Sequence, residues 1–347
     1  MELFGLDNKF NIVCQLVPSS LQWNRRYYTF GDFSLRIDSS QYDEQIAYVF
    51  SNGRKELGLV QKVEWKSDEN GETLDLSGFF AEKLLDDAVI YPTYYADGSL
   101  VDVVKTMCMV YANLNLKYVF SEPISDKVMF QTTGSQLGTK LFDILSQHEA
   151  SMRLYYDISD LQMKLELYRG KNRVQGNPNR LNYVRFSTAW DNLHEPNVLV
   201  DESDYRNYAI VGGQGEGANR TYVEVDQSNG QKKKKIFIDS RNSQYDSSKQ
   251  TWQQYLDGLK QEGIEELNNH KKIVNVDFSP ITDGYVYMTD YDLGDMCECY
   301  IEPIGVEVQG RIVEIHETYE NGVMNIELEL GDQIISKINK LERGIYK

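Results

Sequence analysis

Two segments near opposite ends of the chain carry turn and strand signals in the same order, and this constrains the fold more than any other feature. The first contains Gly31-Asp32 and then Asn70-Gly71, and the second contains Gly294-Asp295 and then Asn321-Gly322. In each segment an alternating strand pattern follows the Asn-Gly pair, which favours a hairpin because both residues tolerate positive φ. Unrelated Asn-Gly hairpins would share part of this pattern. If the two segments are instead related, their shared order predicts two similar β domains, with repeat turns at Asn70, Gly71, Asn321 and Gly322.

The sequence between these segments mixes helix and strand patterns. Apolar residues recur at helical spacing from Leu100 to Tyr111, after a plausible Ser99 cap, and again from Leu137 to Leu145. A strand period of two returns from Leu161 to Leu167, and a third helix is predicted from Trp252. Strands, then mixed elements, then strands again predict an α+β, multi-domain fold with two β-barrel-like domains and inserted mixed domains.

These patterns divide the chain into four predicted parts. Residues 1–92 and 276–347 form the two β domains, and residues 93–200 form a mixed α+β peripheral domain. Residues 201–275 contain a strand-loop-strand unit and a helix, and can also be assigned to the peripheral domain. A length of 347 residues fits two to three domains of ordinary size.

Charge and composition exclude several classes of protein. The chain has 36 basic and 53 acidic residues, so the net charge is 36 − 53 = −17, which argues against nucleic-acid binding through phosphates. No apolar stretch is long enough to cross a membrane, and residues 1–7 do not resemble a signal peptide. Four scattered cysteines do not form a disulfide framework, which indicates folding in a reducing cytosol.

A glycine-rich segment from Gly212 to Gly217 superficially resembles a phosphate-binding loop. It lacks the required glycine spacing and the Gly-Lys-Ser/Thr ending, and a strand pattern rather than a helix follows it. We therefore predict a structural connection between two strands, which involves Gly212, Gly213, Gly215, Gly217 and Arg220.

No pattern in the sequence predicts catalysis, a metal or a cofactor. Cys297 and Cys299 would lie on one face of a strand, but other ligands are lacking nearby, so packing in a sheet is the expected role. The chain has no Gly-x-Ser-x-Gly elbow. A pair of glycosidase carboxylates could exist among 53 acidic residues, but none can be nominated. The prediction is a protein that is not an enzyme and binds no cofactor.

Tyrosine is abundant, with 24 residues against 13 phenylalanines. A tyrosine side chain combines a large apolar area with a hydroxyl, which suits partly wet interfaces. The Tyr27-Tyr28 and Tyr94-Tyr95 pairs could therefore belong to an assembly surface or to a carbohydrate-binding platform.

Several motifs together resemble the siphovirus-type phage tail hub family, which includes baseplate hubs and the N-terminal regions of tail-associated lysin-like proteins. They follow the order of that family over nearly the whole chain, and residues 226–275 match least well. The motifs are Ser20-Leu21-x-Trp23-x-Arg25-Arg26-Tyr27-Tyr28 with Gly31-Asp32-Phe33-x-Leu35, Thr73-x-x-x-Ser77-Gly78 with Leu84-Leu85, Asp201 to Tyr208 with Val211 to Arg220, Asp290 to Asp295 with Arg311-Ile312 and Glu314, and Leu330-Gly331-Asp332.

The resemblance implies a homotrimeric hub at the tip of a tail, in which two similar β domains per subunit form a ring of six similar units. Implied partners are other copies of the chain, the tail tube or distal tail protein, and tip or fibre proteins. DNA would pass through without specific binding, and no membrane anchoring is implied. The protein would belong to the virion tail and assemble in the host cytoplasm. The chain ends about 16 residues after Gly331, so we expect no peptidase extension. A cell-surface glycan-binding module and a carboxylate-based glycan hydrolase are the alternatives.

Overall fold

A computed structural model describes residues 2–338, with nine single residues left out and without the side chains of Asp68, Val274 and residues 332–338. The chain forms two compact units, which we call the large unit (Met1–Pro196 with Asp277–Lys347) and the small unit (Asn197–Val276). The nine residues outside the description are Asn70, Glu122, Pro123, Arg180, Lys249, Gln250, Thr282, Asp283 and Asn321.

Strands dominate the described chain, and three α-helices interrupt them. The helices are α1 (Leu100–Tyr111), α2 (Leu137–Gln147) and α3 (Trp252–Asn269). The strands are β1 (Leu3–Leu6), β2 (Ile12–Leu16), β3 (Ser20–Arg26), β4 (Asp32–Asp38), β5 (Tyr48–Ser51), β6 (Leu57–Leu59), β7 (Lys62–Asp68), β8 (Gly71–Phe79), β9 (Tyr94–Ser99), β10 (Leu116–Phe120), β11 (Lys127–Thr132), β12 (Ser151–Asp157), β13 (Gln162–Tyr168), β14 (Arg185–Ser187), β15 (Leu193–Asp201), β16 (Tyr208–Gly212), β17 (Tyr222–Asp226), β18 (Lys235–Asp239), β19 (Ile273–Pro280), β20 (Met296–Ile301), β21 (Val306–Glu320) and β22 (Val323–Ile338).

A ten-stranded sheet joins the two ends of the sequence. Its main order is β15-β19-β22-β21-β3-β4-β8-β7, and β20 and β14 extend from β21. The predicted alternation at Phe33, Leu35 and Ile37 is confirmed, since all three are buried on one face of β4. Strand β3 pairs antiparallel with β21, so the N-terminal and C-terminal segments share one sheet.

The two segments with similar turn signals differ in strand order. After Gly31-Asp32, β4 pairs with β8, the second strand of its hairpin. After Gly294-Asp295, β20 pairs with β21, the first strand of its hairpin. The physical reason is the length of β21, which pairs with β20 along Val306–Arg311 and with β3 along Glu314–Glu320.

The remainder of the large unit packs around helices α1 and α2. Ser99 caps α1 as predicted, because its side chain accepts a hydrogen bond from the amide of Asp102 at 3.2 Å. Both helices bury apolar faces in a core that includes the three-stranded sheet β10-β13-β12. A four-stranded sheet (β2-β1-β5-β6) and the pair β11-β9 complete this unit.

The small unit is a three-stranded sheet packed on one helix. The strand order is β17-β16-β18, and α3 buries Tyr255, Leu259 and Leu267. Thr251 and Gln254 form a reciprocal capping box at the start of α3, which satisfies two amides there.

Candidate functional site

Strand β7 ends the main strand order of the ten-stranded sheet and exposes apolar side chains. Val63 and Trp65 lie directly opposite Leu76 and Leu74 of β8, so all four share one face. Leu74 and Leu76 are buried, whereas Val63 and Trp65 are 45% and 56% exposed. The buried apolar face of the sheet therefore continues onto a solvent-exposed edge.

The other face of β7 is charged and already paired. Lys66 Nζ lies 2.9 Å from Asp75 Oδ2, and Lys62 Nζ lies 2.9 Å from Glu64 Oε2. Lysine on an edge strand usually discourages pairing with another chain. Here the lysines are on one face only, so the apolar face of β7 can be covered by a partner. We call Val63, Trp65 and the free edge of β7 the β7 edge.

A buried ion-pair network connects distant parts of the large unit. Arg25 is only 2% exposed, and its guanidinium donates to Glu56 Oε1 at 2.7 Å, Asp292 Oδ1 at 2.6 Å and the Tyr287 hydroxyl at 2.8 Å. Tyr287 in turn donates to Glu317 Oε1 at 2.6 Å. Three separate segments, at residues 25, 56 and 287–292, are thereby held together.

Charge compensation keeps this network ionised. Burial alone would lower the pKa of Arg25, but Glu56, Tyr287 and Asp292 outweigh it and raise that pKa above its ordinary value. Burial likewise disfavours the charged form of Asp292, yet Arg25 lowers the pKa of this carboxyl. The arrangement can anchor chain segments, because one buried guanidinium binds two carboxylates from distant parts of the sequence.

The residues next to Arg25 add further contacts between the segments that the ion-pair network connects. Tyr27 is fully buried, and its hydroxyl donates to the carbonyl of Glu149 at 3.1 Å and accepts from the amide of Gly170 at 3.2 Å. The ring of Tyr27 packs at Gly294, whose carbonyl accepts from Arg311 Nη1 at 2.7 Å. The motif residues near both ends of the chain thus form one interior cluster.

A cleft of about 190 Å³ lies beside this cluster and contains two aspartates. Asp292 pairs with Arg25, and Asp295 Oδ2 lies 2.5 Å from Arg173 Nε. A glycosidase needs one carboxyl as an acid and another as a base or nucleophile. Because each aspartate forms an ion pair with an arginine, the arrangement suits structural anchoring better than glycoside hydrolysis.

The glycine-rich segment of the small unit connects β16 to β17. Arg220 Nη2 donates to the carbonyl of Gly212 at 2.6 Å, and its Nε donates to the carbonyl of Gly213 at 3.1 Å. Arg220 also pairs with Asp239 of β18. Gly215 and Gly217 lie in the connection with φ of +95° and +54°. The structure therefore brings these five residues together in one connection, and Arg220 binds the backbone of that connection.

The predicted repeat-turn residues are described only in part. Asn70 and Asn321 lie outside the described residues. Gly71 has a φ of +124° and pairs with Asp68 in the β7–β8 ladder, whereas Gly322 has a φ of +83° and immediately precedes Val323, which pairs with Glu320. Both glycines use a backbone conformation that other residues rarely adopt.

The paired tyrosines do not form surface pairs. Tyr27 is buried, so the expectation that Tyr27-Tyr28 belongs to a surface is wrong for Tyr27. The reason is that its hydroxyl bonds to the backbone of Glu149 and Gly170 in the interior. Tyr95 is 74% exposed, while Tyr94 is partly buried against Tyr111. Cys297 and Cys299 are both buried in β20, as the packing interpretation predicts.

Sequence reasoning did not identify the β7 edge or the ion pair between Arg25 and Asp292. In the sequence, Arg25 and Asp292 belong to separate motifs, and no local pattern pairs them. The run Lys62–Lys66 alternates charged and apolar residues, which was the available signal for a half-exposed strand. Its position at an edge depends on strand order, which the sequence does not state.

Comparison with known proteins gives a family and a fold. The family model of the Siphovirus ReqiPepy6 Gp37-like protein matches residues 1–332. No curated protein matches this sequence. Among the described residues, no helix combines the length and apolar character needed to cross a membrane.

Solved structures of three tail proteins, two of them from prophages, have a similar fold. The 43 kDa tail protein of prophage MuSo2 from Shewanella oneidensis is 13% identical with a TM-score of 0.65, over 95% of this chain and 98% of that chain. A tail protein from Neisseria meningitidis MC58 is 10% identical with a TM-score of 0.62, over 95% and 96%. The prophage tail protein gp18 from Listeria monocytogenes EGD-e is 12% identical with a TM-score of 0.55, over 99% and 97%.

Proposed function

Because this chain belongs to the Siphovirus ReqiPepy6 Gp37-like protein family and has the fold of prophage tail proteins, we propose that it is a structural protein of a phage or prophage tail and forms a homotrimeric hub at the tail tip. Residues 1–92 and 276–347 would form the ring. Three copies of these two β segments supply six units, which suits a six-fold tail tube. Residues 93–200 and 201–275 would form peripheral parts.

The β7 edge is the observation that carries the assembly proposal. A free sheet edge with an exposed apolar face is a ready site for pairing with another chain. Trp65 is well suited as an anchor because tryptophan is enriched among the residues that dominate binding energy. In a homotrimer, the β7 edge of each copy would be covered by its neighbour.

The remaining partners follow from a position at the tail tip. The tail tube or distal tail protein would contact one side of the ring, and tip or fibre proteins the other. Three chains carry 3 × (−17) = −51 formal charges, which would repel DNA phosphates and favour passage without binding. Assembly would take place in the host cytoplasm, and the finished protein would reside in the virion tail.

Light scattering of the purified full chain tests the assembly. A homotrimer of the 40.1 kDa chain has a mass of 3 × 40.1 = 120.3 kDa. We expect this mass at micromolar concentration. A monomer that persists when mixed with the neighbouring tail proteins would contradict the proposal.

A pair of tryptophan variants tests the role of the β7 edge. W65K places a charge on the exposed apolar face and should therefore weaken the trimer. We expect the dissociation constant of the trimer to rise by at least about tenfold. W190K is the matched control, because Trp190 is also about half exposed (54%) but lies outside β7. Equal dissociation of both variants would show that the β7 edge is not the interface.

Glycan binding is the second candidate, favoured by exposed aromatic residues. Tyr91 and Tyr95 are 80% and 74% exposed, and aromatic rings of this kind can stack on sugars. A glycan panel tests this function with wild type and with a Y91A/Y95A variant. Binding that this variant loses would support a surface-recognition role, and a fall in cell-wall turbidity would instead support the hydrolase alternative.

A further inference from the structure

Two glutamates and a histidine converge in the ten-stranded sheet of the large unit. Glu314 and His316 lie on β21, and Glu329 lies on β22 directly opposite Glu314. One ligand atom from each residue lies within 4.8 Å of the others, and all three side chains are partly buried. Like charges placed directly opposite on neighbouring strands are destabilising, so this arrangement needs compensation.

The orientation of His316 is set from outside the group. Asn24 Nδ2 donates to Asp32 Oδ1 at 2.7 Å, which leaves Asn24 Oδ1 as the acceptor for His316 Nδ1 at 3.0 Å. The Nδ1 atom therefore carries a proton, and Nε2 faces Glu314 Oε2 at 3.3 Å. In the neutral imidazole, Nε2 is a lone-pair donor directed at carboxylate oxygens.

This geometry matches a metal-binding histidine. Such residues usually donate their second ring N–H to a carbonyl or carboxylate, which fixes the tautomer and the ring orientation. Here Asn24 has that role, and Asp32 fixes the Asn24 amide. In the neutral form, the lone pair of Nε2 faces the Glu314 carboxylate, and a cation placed among the three ligand atoms would satisfy both.

The neighbouring charges leave the group negative. Arg26 Nε donates to Glu314 Oε2 at 3.2 Å, and Arg26 also pairs with Asp32. In the described part of the chain, the Glu329 carboxylate makes no hydrogen bond or ion pair, and Glu314, Asp277 and Glu327 add negative charge around it. One arginine thus faces several carboxylates, and Glu329 keeps its ligand atoms available.

We propose that Glu314, His316 and Glu329 bind a divalent first-row transition-metal ion, and that Zn²⁺ fits the donor set well. One imidazole nitrogen and two carboxylate oxygens suit zinc, whereas calcium and magnesium prefer oxygen alone. The ion would connect β21 and β22, next to the point where β3 of the N-terminal segment joins them. This inference does not depend on the proposed hub function.

Isothermal titration of the metal-free full chain with ZnCl₂ tests the site. We expect about one ion per chain, with a dissociation constant that H316Q and E329Q each weaken by about 100-fold. N24L leaves all three ligands in place and should weaken binding by about tenfold, since outer-shell partners typically change metal affinity by 10–100-fold. E329Q also removes the charge repulsion with Glu314, so it provides a folded variant if H316Q does not fold.

Matched variants separate this site from other binding. E72Q makes the same charge change at an exposed residue of β8, outside the group, and should change the dissociation constant by less than about threefold. H270Q is a histidine control. Nδ1 of His270 faces Asp204 and Nε2 faces Glu266, so the two carboxylates do not converge on one ring nitrogen. Wild type that binds no zinc, or binding that persists unchanged in H316Q and E329Q, would overturn the proposal, and loss of binding in H270Q would place the zinc at His270 instead.

Discussion

Arg25 and Asp292 lie 267 residues apart in the sequence, and the Arg25 Nη1 atom is 2.6 Å from Asp292 Oδ1 in the large unit. Each belongs to a motif near one end of the chain. The pair, together with Glu56, makes the N-terminal and C-terminal strands dependent on each other. Removing Arg25 would leave Glu56 and Asp292 without the cation that they share.

The first prediction concerns this ion-pair network. R25M should lower the free energy of unfolding by about 3–5 kcal/mol, because Glu56 and Asp292 would remain charged without a partner. R36M is the control, since Arg36 is 47% exposed and pairs with Asp75 near the surface, where a pair contributes about 1 kcal/mol or less. Urea denaturation of both variants measures the difference, and equal losses would contradict the buried role of Arg25.

Glu82 should make stability fall with increasing pH. The amide of Leu154 donates to its Oε1 at 2.9 Å, its Oε2 has no hydrogen-bond partner among the described residues, and burial raises its pKa to about 7. The folded state therefore binds a proton more tightly than the unfolded state, and this contribution is lost as pH rises from about 4.5 through 7. E82Q should match wild type near pH 5 and exceed its stability at pH 8 by up to roughly 3 kcal/mol.

Asp75 supplies a control of opposite sign. Hydrogen bonding from Arg36 and Lys66, despite partial burial, lowers the pKa of Asp75 to about 2. Its contribution to stability is present above about pH 4 and is lost as pH falls through 2. D75N should be less stable than wild type at pH 7, and the difference should shrink as pH falls from about 4 and vanish below about 2. Chemical denaturation across this pH range checks both variants, and parallel curves for E82Q and wild type would contradict the prediction.

Local elements were predictable from the sequence because their signals are local. The helix that begins after Ser99 and the strand at Phe33–Ile37 follow from capping and from a period of two. The connection with Arg220 lies within one short segment, so its role as a link between strands was also predictable. Each of these features depends on neighbours within about ten residues.

Features that depend on strand order were not predictable. The contact between Arg25 and Asp292 requires β3 to pair with β21, and no local signal specifies that register. The same limit applies to the β7 edge and to the burial of Tyr27, whose hydroxyl partners are at Glu149 and Gly170. Similar turn signals also led to different strand orders in the two β segments.

A side chain at Gly294 should destabilise the large unit. Its φ is +91°, and a Cβ atom would meet the ring of Tyr27. G322A is the matched control, because Gly322 has a similar φ of +83° but, among the described residues beyond its chain neighbours, no atom lies within 4 Å of the added carbon. We expect G322A to cost about 1 kcal/mol from backbone strain, and G294A to cost about 1–3 kcal/mol more from overpacking. Thermal unfolding measures both, and equal effects would exclude the packing contribution.

The four cysteines should differ in reactivity with a thiol reagent. Cys108, Cys297 and Cys299 are buried, and burial raises the pKa of Cys108 and Cys299 to about 12, so thiolate is scarce at neutral pH. Burial and Asp43 also raise the pKa of Cys14, but this residue is partly exposed. With Ellman's reagent at pH 8, we therefore expect one thiol per folded chain to react rapidly and four to react in urea. C14S should abolish the rapid phase; rapid reaction of Cys297 or Cys299 in this variant would contradict their buried packing in β20.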